Sequence, residues 1–180
     1  ALVLVSVLGI TSLGGPERIV EMVRTMVGDR EVVKVNSDED NLKIAEEREE
    51  EAYQEIKDTF GVDPVKIIKS LRGMVFSESV IDKKLQMAEL YYQYNGENVV
   101  YLINTSYAGS SWGQDTEDEV TDTYYEEKDG TVIEIKEYQI EGENAKKYSA
   151  NYKYKGVEYY LIGTMDKEDF EIIIDNLYFL

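Results

Sequence analysis

Three short turn signals divide the second half of this chain into hairpins, and they narrow the fold class more than any other feature. Asn95-Gly96 lies between Leu85–Tyr94 and Val99–Asn104, Asp129-Gly130 between Glu119–Glu126 and Thr131–Glu137, and Lys155-Gly156 between Tyr148–Tyr154 and Val157–Ile162. Asn-Gly and Asp-Gly tolerate the positive φ that a two-residue hairpin turn demands, and the flanks are rich in the aromatic and β-branched residues that suit strands. Val65–Ile68 and Gly73–Phe76 add two short candidate strands, with Glu78–Lys84 read as a polar connection. The last hairpin, followed by Thr164-Met-Asp166 and an amphipathic stretch, reads as the closing unit that the upstream strands complete.

The helices are equally spaced out by their periodicity. Pro16 suits a first helical position, and Ile19, Val20, Val23, Met26 and Val27 share one face before Gly28 stops the run. A second helix is predicted from about Glu39 to Phe60, with Leu42, Ala45, Ala52, Tyr53, Ile56 and Phe60 as its apolar stripe and Glu46–Glu51 as a solvated run. At the end of the chain, Asp166 is placed as a cap with Asp169 in a capping-box-like position, and Phe170, Ile173, Ile174 and Leu177 give one buried face. The expected fold is α+β: a twisted antiparallel β-sheet of about six or seven strands packed by two N-terminal helices and one C-terminal helix.

Composition excludes several chemistries. The 180 residues contain no Cys and no His, which removes thiol nucleophiles, disulfides, Ser-His-Asp triads and His-based metal sites. With 19 Lys+Arg against 37 Asp+Glu the net charge is −18, a field that repels nucleic-acid phosphates and anionic lipid headgroups. No Gly-rich phosphate loop, nucleophile elbow or Ser-x-x-Lys motif is present, and the acidic stretch Asn36–Asp40 lacks the glycine and bidentate Glu of an EF-hand. The chain is therefore expected to be no enzyme, with no metal and no cofactor.

Residues 1–15, Ala1 to Gly15, carry no charge. We read them as the end of a transmembrane helix that starts upstream of Ala1, the alternative being a buried strand. The domain organisation is then an apolar segment over 1–15, a helical region over 16–60, and a sheet domain with its closing helix over 61–180.

Two features invite a binding role. Tyr occurs 15 times, mostly on predicted strands, either as an aromatic platform or as ordinary cross-strand packing. Ser106–Asp118 is the longest non-periodic segment of the β half and holds the single Trp, which either forms a recognition patch or folds back as a plug on the sheet. The candidate ligand-binding residues are Trp112, Tyr107 and Tyr92.

The ending Tyr159-Tyr-Leu-Ile-Gly-Thr-Met-Asp-Lys-Glu-Asp-Phe-Glu-Ile-Ile-Ile-Asp-Asn-Leu177, after a Tyr-rich hairpin, resembles the C-terminal signature of a family of bacterial extracytoplasmic domains of unknown function, the DUF4367 type. The likeness covers about Gly61 to Leu180. It implies an outward-facing domain on a membrane-anchored protein, in a family whose Gram-positive members are described loosely as anti-sigma-like. It carries over no catalytic residues. The expected function is a non-enzymatic extracytoplasmic sensory or protein-binding domain at the cell membrane, whose partner is a protein or cell-envelope component. The alternative is a lipid-carrier-like or small-ligand-binding module with an apolar cavity between sheet and helices, by fold-level analogy.

Overall fold

The predicted turns close as two-residue hairpins in the computed structural model, which describes residues 39–68, 71–106, 118–140 and 145–180. Asn95 and Gly96, Asp129 and Gly130, and Lys155 and Gly156 all take positive φ, the twist that lets two strands return antiparallel without splaying. The elements are α1 (Glu39–Phe60), β1 (Lys66–Ile67), β2 (Val75–Asp82), β3 (Met87–Tyr94), β4 (Glu97–Asn104), β5 (Glu119–Lys128), β6 (Thr131–Gln139), β7 (Lys146–Tyr154), β8 (Val157–Thr164), α2 (Lys167–Asp175) and β9 (Leu177–Tyr178). Seven strands form one sheet in the order β2-β3-β4-β8-β7-β6-β5, every neighbouring pair antiparallel. The closing hairpin, β7 with β8, thus sits in the middle of the sheet and joins a three-stranded meander to the β5–β6 hairpin.

One register row shows how the core is laid down. Leu90, Tyr101, Leu161, Ala150, Ile135 and Tyr124 stand side by side across six strands and point to one face. The two described helices cover that face: α1 buries Ala45, Ala52, Tyr53 and Ile56 along β2, and α2 buries Phe170, Ile173 and Ile174 near β7. On the other face Tyr91, Val100, Leu102, Tyr160 and Ile162 form a second buried group at the sheet centre.

Several expectations change. The described residues hold two helices, one before and one after the strands of the seven-stranded sheet; the helix predicted over 16–27 and the apolar run 1–15 lie outside them. Glu78–Asp82, read as a polar connection, belongs to β2, an edge strand whose polar residues face out beyond a bulge between Phe76 and Glu78. The connection is Lys83–Gln86 instead, with the Asp82 carboxylate accepting from the Lys84 and Leu85 amides. β1 does not join the main sheet, because it pairs with β9 at the end of the chain, Ile67 opposite Leu177. Leu177 is therefore buried as a strand residue, while the helix stops at Asp175, where the Asn176 side chain caps the carbonyl of Ile172 at 2.7 Å. No capping box forms: Asp166 makes no side-chain cap bond, and Asp169 accepts the Tyr94 hydroxyl at 2.6 Å. The C-terminus of α2 is met by Lys128, whose ammonium donates to the carbonyls of Ile174 and Asp175, where the helix dipole favours a cation.

Phe170 tests how far α2 belongs to this core. Its ring is fully buried and stacks on Tyr148 with centroids 5.5 Å apart. Phe170→Ala is expected to lose about 3–5 kcal/mol of unfolding free energy in urea titrations; a loss under about 1 kcal/mol would mean that α2 is dispensable to the core.

Candidate functional site

The apolar stripe of α1 is interrupted once where it crosses the sheet. Glu49 lies four residues after Ala45, three before Ala52 and four before Tyr53, so helical spacing turns it inward among buried neighbours. There it meets Tyr92 on β3, whose hydroxyl donates to Glu49 Oε1 at 2.7 Å. Since the Tyr92 proton is committed to Glu49, the contact at 3.3 Å between the Tyr53 and Tyr92 hydroxyls has Tyr53 as donor. Tyr53 accepts in turn from the amide of Ile67 at 3.1 Å. A relay runs from the backbone of β1 through two hydroxyls to a carboxylate on α1.

A second set of tyrosines continues it. After Gly61 the chain descends onto the sheet without joining it, and its buried amides and carbonyls need partners. Tyr101 donates to the Val65 carbonyl at 3.0 Å, and Tyr159 accepts from the Val65 amide at 3.2 Å. Tyr152 completes the group at 2.7 Å from the Tyr101 hydroxyl and stacks on Tyr159, centroids 4.9 Å apart. All five tyrosines are buried, and burial holds the hydroxyls of Tyr92, Tyr101 and Tyr152 well above their ordinary pKa and pushes Tyr159 up to about 12. They stay protonated donors.

Glu49 is different. Burial raises its pKa from 4.5 to about 7; the Tyr92 hydrogen bond opposes this, Glu50 and Glu46 add to it, and Lys66 opposes it. Charged groups rim the cluster. Lys66 binds Glu50 at 2.6 Å and lies 5.4 Å over the Tyr53 ring, while Arg48 donates to the Ser77 carbonyl at 2.8 Å and sits 5.9 Å over Phe76. Phe76 meets Tyr92 edge-on at 5.6 Å. The chemistry this arrangement supports is proton exchange near neutral pH at a helix–sheet contact.

At the other end of the sheet Glu137 is held down to about 2, by Lys146 first and by Thr121 and Tyr148, which outweigh its burial. A shallow depression of about 170 Å³, lined by Thr59, Phe60, Val62, Lys83, Gln86 and Thr105, is smaller than an ordinary ligand site. Among the described residues no group of three carboxylates converges as a metal site, and no helix is long and apolar enough to cross a membrane.

Of the three residues proposed for ligand contact, Tyr92 is the one described, and its side chain is wholly interior, engaged by Glu49 and Tyr53. Trp112 and Tyr107 lie outside the described residues. Glu49 escaped the sequence reading because it falls inside Glu46–Glu51, taken there as solvated. The signal was available in its spacing from Ala45, Ala52, Tyr53 and Ile56.

Residues 65–177 match the model of the family described as "Domain of unknown function (DUF4367)". The match starts at Val65, the residue held by Tyr101 and Tyr159, and ends at Leu177 in β9, so it takes in the whole seven-stranded sheet and leaves out α1. No curated protein and no solved structure matches the chain.

The two displaced carboxylates give stability opposite slopes. The folded pKa of Glu49 lies above its ordinary value, so its contribution is full below about pH 4.5 and is lost as pH rises through about 7. The folded pKa of Glu137 lies below it, so its contribution is present above about pH 4.5 and lost as pH falls toward 2. Urea midpoints of Glu49→Gln between pH 5 and 8 should lose most of the decline seen in the parent chain, a gain on the order of 2 kcal/mol at pH 8. An unchanged slope would show that Glu49 does not titrate in this window.

Proposed function

The chain belongs to the DUF4367 family of domains of unknown function, and from that premise we propose that it is a non-enzymatic extracytoplasmic sensory or protein-binding domain of a membrane-anchored, anti-sigma-like bacterial protein. The observation that carries the binding part is how the space between α1 and the sheet is used. It is filled by Tyr53, Tyr92, Tyr101, Tyr152 and Tyr159, each hydrogen-bonded to a neighbour, so recognition falls to the outer surface. The absence of His and Cys from the sequence supports the non-enzymatic part, and the uncharged run 1–15 supports the anchor. The sensory part draws on Glu49, a titratable group set where a helix leading back toward that run meets the sheet.

Two measurements test this reading. Externally added protease should remove the sheet domain from intact Gram-positive protoplasts that express the whole protein, and protection from it would overturn the extracytoplasmic assignment. Native mass spectrometry of the purified chain should give a clean apo mass; a co-purifying lipid would replace the protein-binding reading with the carrier one.

A further inference from the structure

The two margins of the seven-stranded sheet are treated differently. At one margin α1 lies along β2, and Arg48 occupies the Ser77 carbonyl at the bulge. At the other, β5 is ten residues long, Glu119 to Thr123 are exposed without interruption, Tyr125 and Glu127 are exposed beyond them, and among the described residues no strand lies outside it. We propose that this open margin is a docking strand for a cationic extended segment of a partner protein, which adds to the sheet beside β5. The inference rests on the protein-binding reading and names its surface and partner chemistry.

The backbone supports it first. In an antiparallel strand the N–H and C=O of alternate residues turn to the same side. The Thr123 amide donates to the Asp122 carboxylate at 2.8 Å, which places it outside the ladder with β6. By alternation Tyr125 and Glu127 present their amides and carbonyls outward too. An incoming strand therefore finds donor–acceptor pairs at Tyr125 and Glu127, and at Thr123 a carbonyl beside an amide that exchanges the Asp122 carboxylate for the partner, all beyond the irregularity between Val120 and Asp122.

Side chains then select the partner. β5 carries Glu119, Asp122, Glu126 and Glu127 against Lys128 alone, and Lys128 is engaged by the end of α2. On the face away from the helices Tyr125 is 64% exposed, and Val132, opposite Glu127 on β6, is 60% exposed. An added strand with Lys or Arg near the acids and an apolar residue near Tyr125 satisfies both. A second copy does not, because it brings the same acids and a net charge of −18 to the contact, and like charges on facing strands oppose pairing. Nucleic acid and anionic lipid are repelled by the same field.

The test uses the full 180-residue chain and a synthetic peptide of alternating Lys and Val, with the alternating Glu and Val peptide as control. Binding of the cationic peptide should slow amide exchange at Thr123, Tyr125 and Glu127 at least about tenfold, with no effect from the anionic one. Thr123→Pro removes an outward amide, a change that edge strands tolerate, and should abolish this protection while keeping the urea midpoint. Glu127→Lys leaves the backbone intact and should weaken binding several-fold and flatten its salt dependence, so the proposal stays testable if the proline variant misfolds. Protection confined to the acidic face of α1, or undiminished binding to folded Thr123→Pro, would overturn the docking strand. A partner crosslinked elsewhere and indifferent to Thr123→Pro would overturn it and leave the protein-binding reading standing; an intact domain that takes no protein partner would overturn both.

Discussion

Everything in this fold waits on β8. It is hydrogen-bonded to β4 on one side and β7 on the other, and it is buried on both faces, Tyr159 and Leu161 beneath the helices and Tyr160 and Ile162 on the opposite side. The meander β2-β3-β4 and the hairpin β5-β6 can each form locally, but neither has a full set of neighbours until the closing hairpin fills the space between them. The pairing of β4 with β8 joins residues some sixty positions apart, Val99 with Gly163 for example. Loop-closure entropy must be met before that contact returns anything, which puts cooperativity, rather than any one hairpin, in charge of stability.

Tyrosine does in this core what a purely apolar residue could not. Val65 and Ile67, between α1 and β2, are buried in a stretch whose sheet pairing is the two residues joined to β9, so their amides and carbonyls need other partners. Tyr53, Tyr101 and Tyr159 supply them at Ile67 and Val65 while their rings fill apolar volume. A phenylalanine at any of these positions would keep the volume and orphan a backbone group, at roughly 1–3 kcal/mol for each unsatisfied atom. The abundance of Tyr on the predicted strands was thus a mark of interior hydrogen bonding more than of an exposed platform.

The sheet was legible because turn chemistry and strand composition agree locally: Asn95-Gly96, Asp129-Gly130 and Lys155-Gly156 each fix a hairpin without help from distant residues. What could not be read was set by tertiary contacts. Glu78–Asp82 looks like a connection because an edge strand needs apolar residues on one side only, and Leu177 keeps helical spacing although Asn176 ends the helix before it. Asp169 sits where a capping box would place it, yet Tyr94 claims it from 75 residues away. The site fared worst, since Glu49 is defined by a neighbour 43 positions along the chain, and a run of acids hides its inward spacing. Of the proposed binding residues, Tyr92 proves to be an interior residue of that same cluster.

The family match begins at Val65, and α1 stands outside it, which separates the sheet from the helix that covers it. The contact between them is held by Tyr53 and Ile56, but its midpoint is a half-buried carboxylate where an apolar side chain would pack more firmly. As Glu49 gains or loses its proton around pH 7, the helix is held more or less tightly, while Val65 and Ile67 remain pinned by tyrosines that do not titrate there. α1 is also the covalent path from the sheet to the apolar residues 1–15. A stretch pinned at Val65 and Ile67 and a helix that packs through one titratable carboxylate put a pH-sensitive contact between α1 and β3, outside the sheet's own hydrogen-bond ladder.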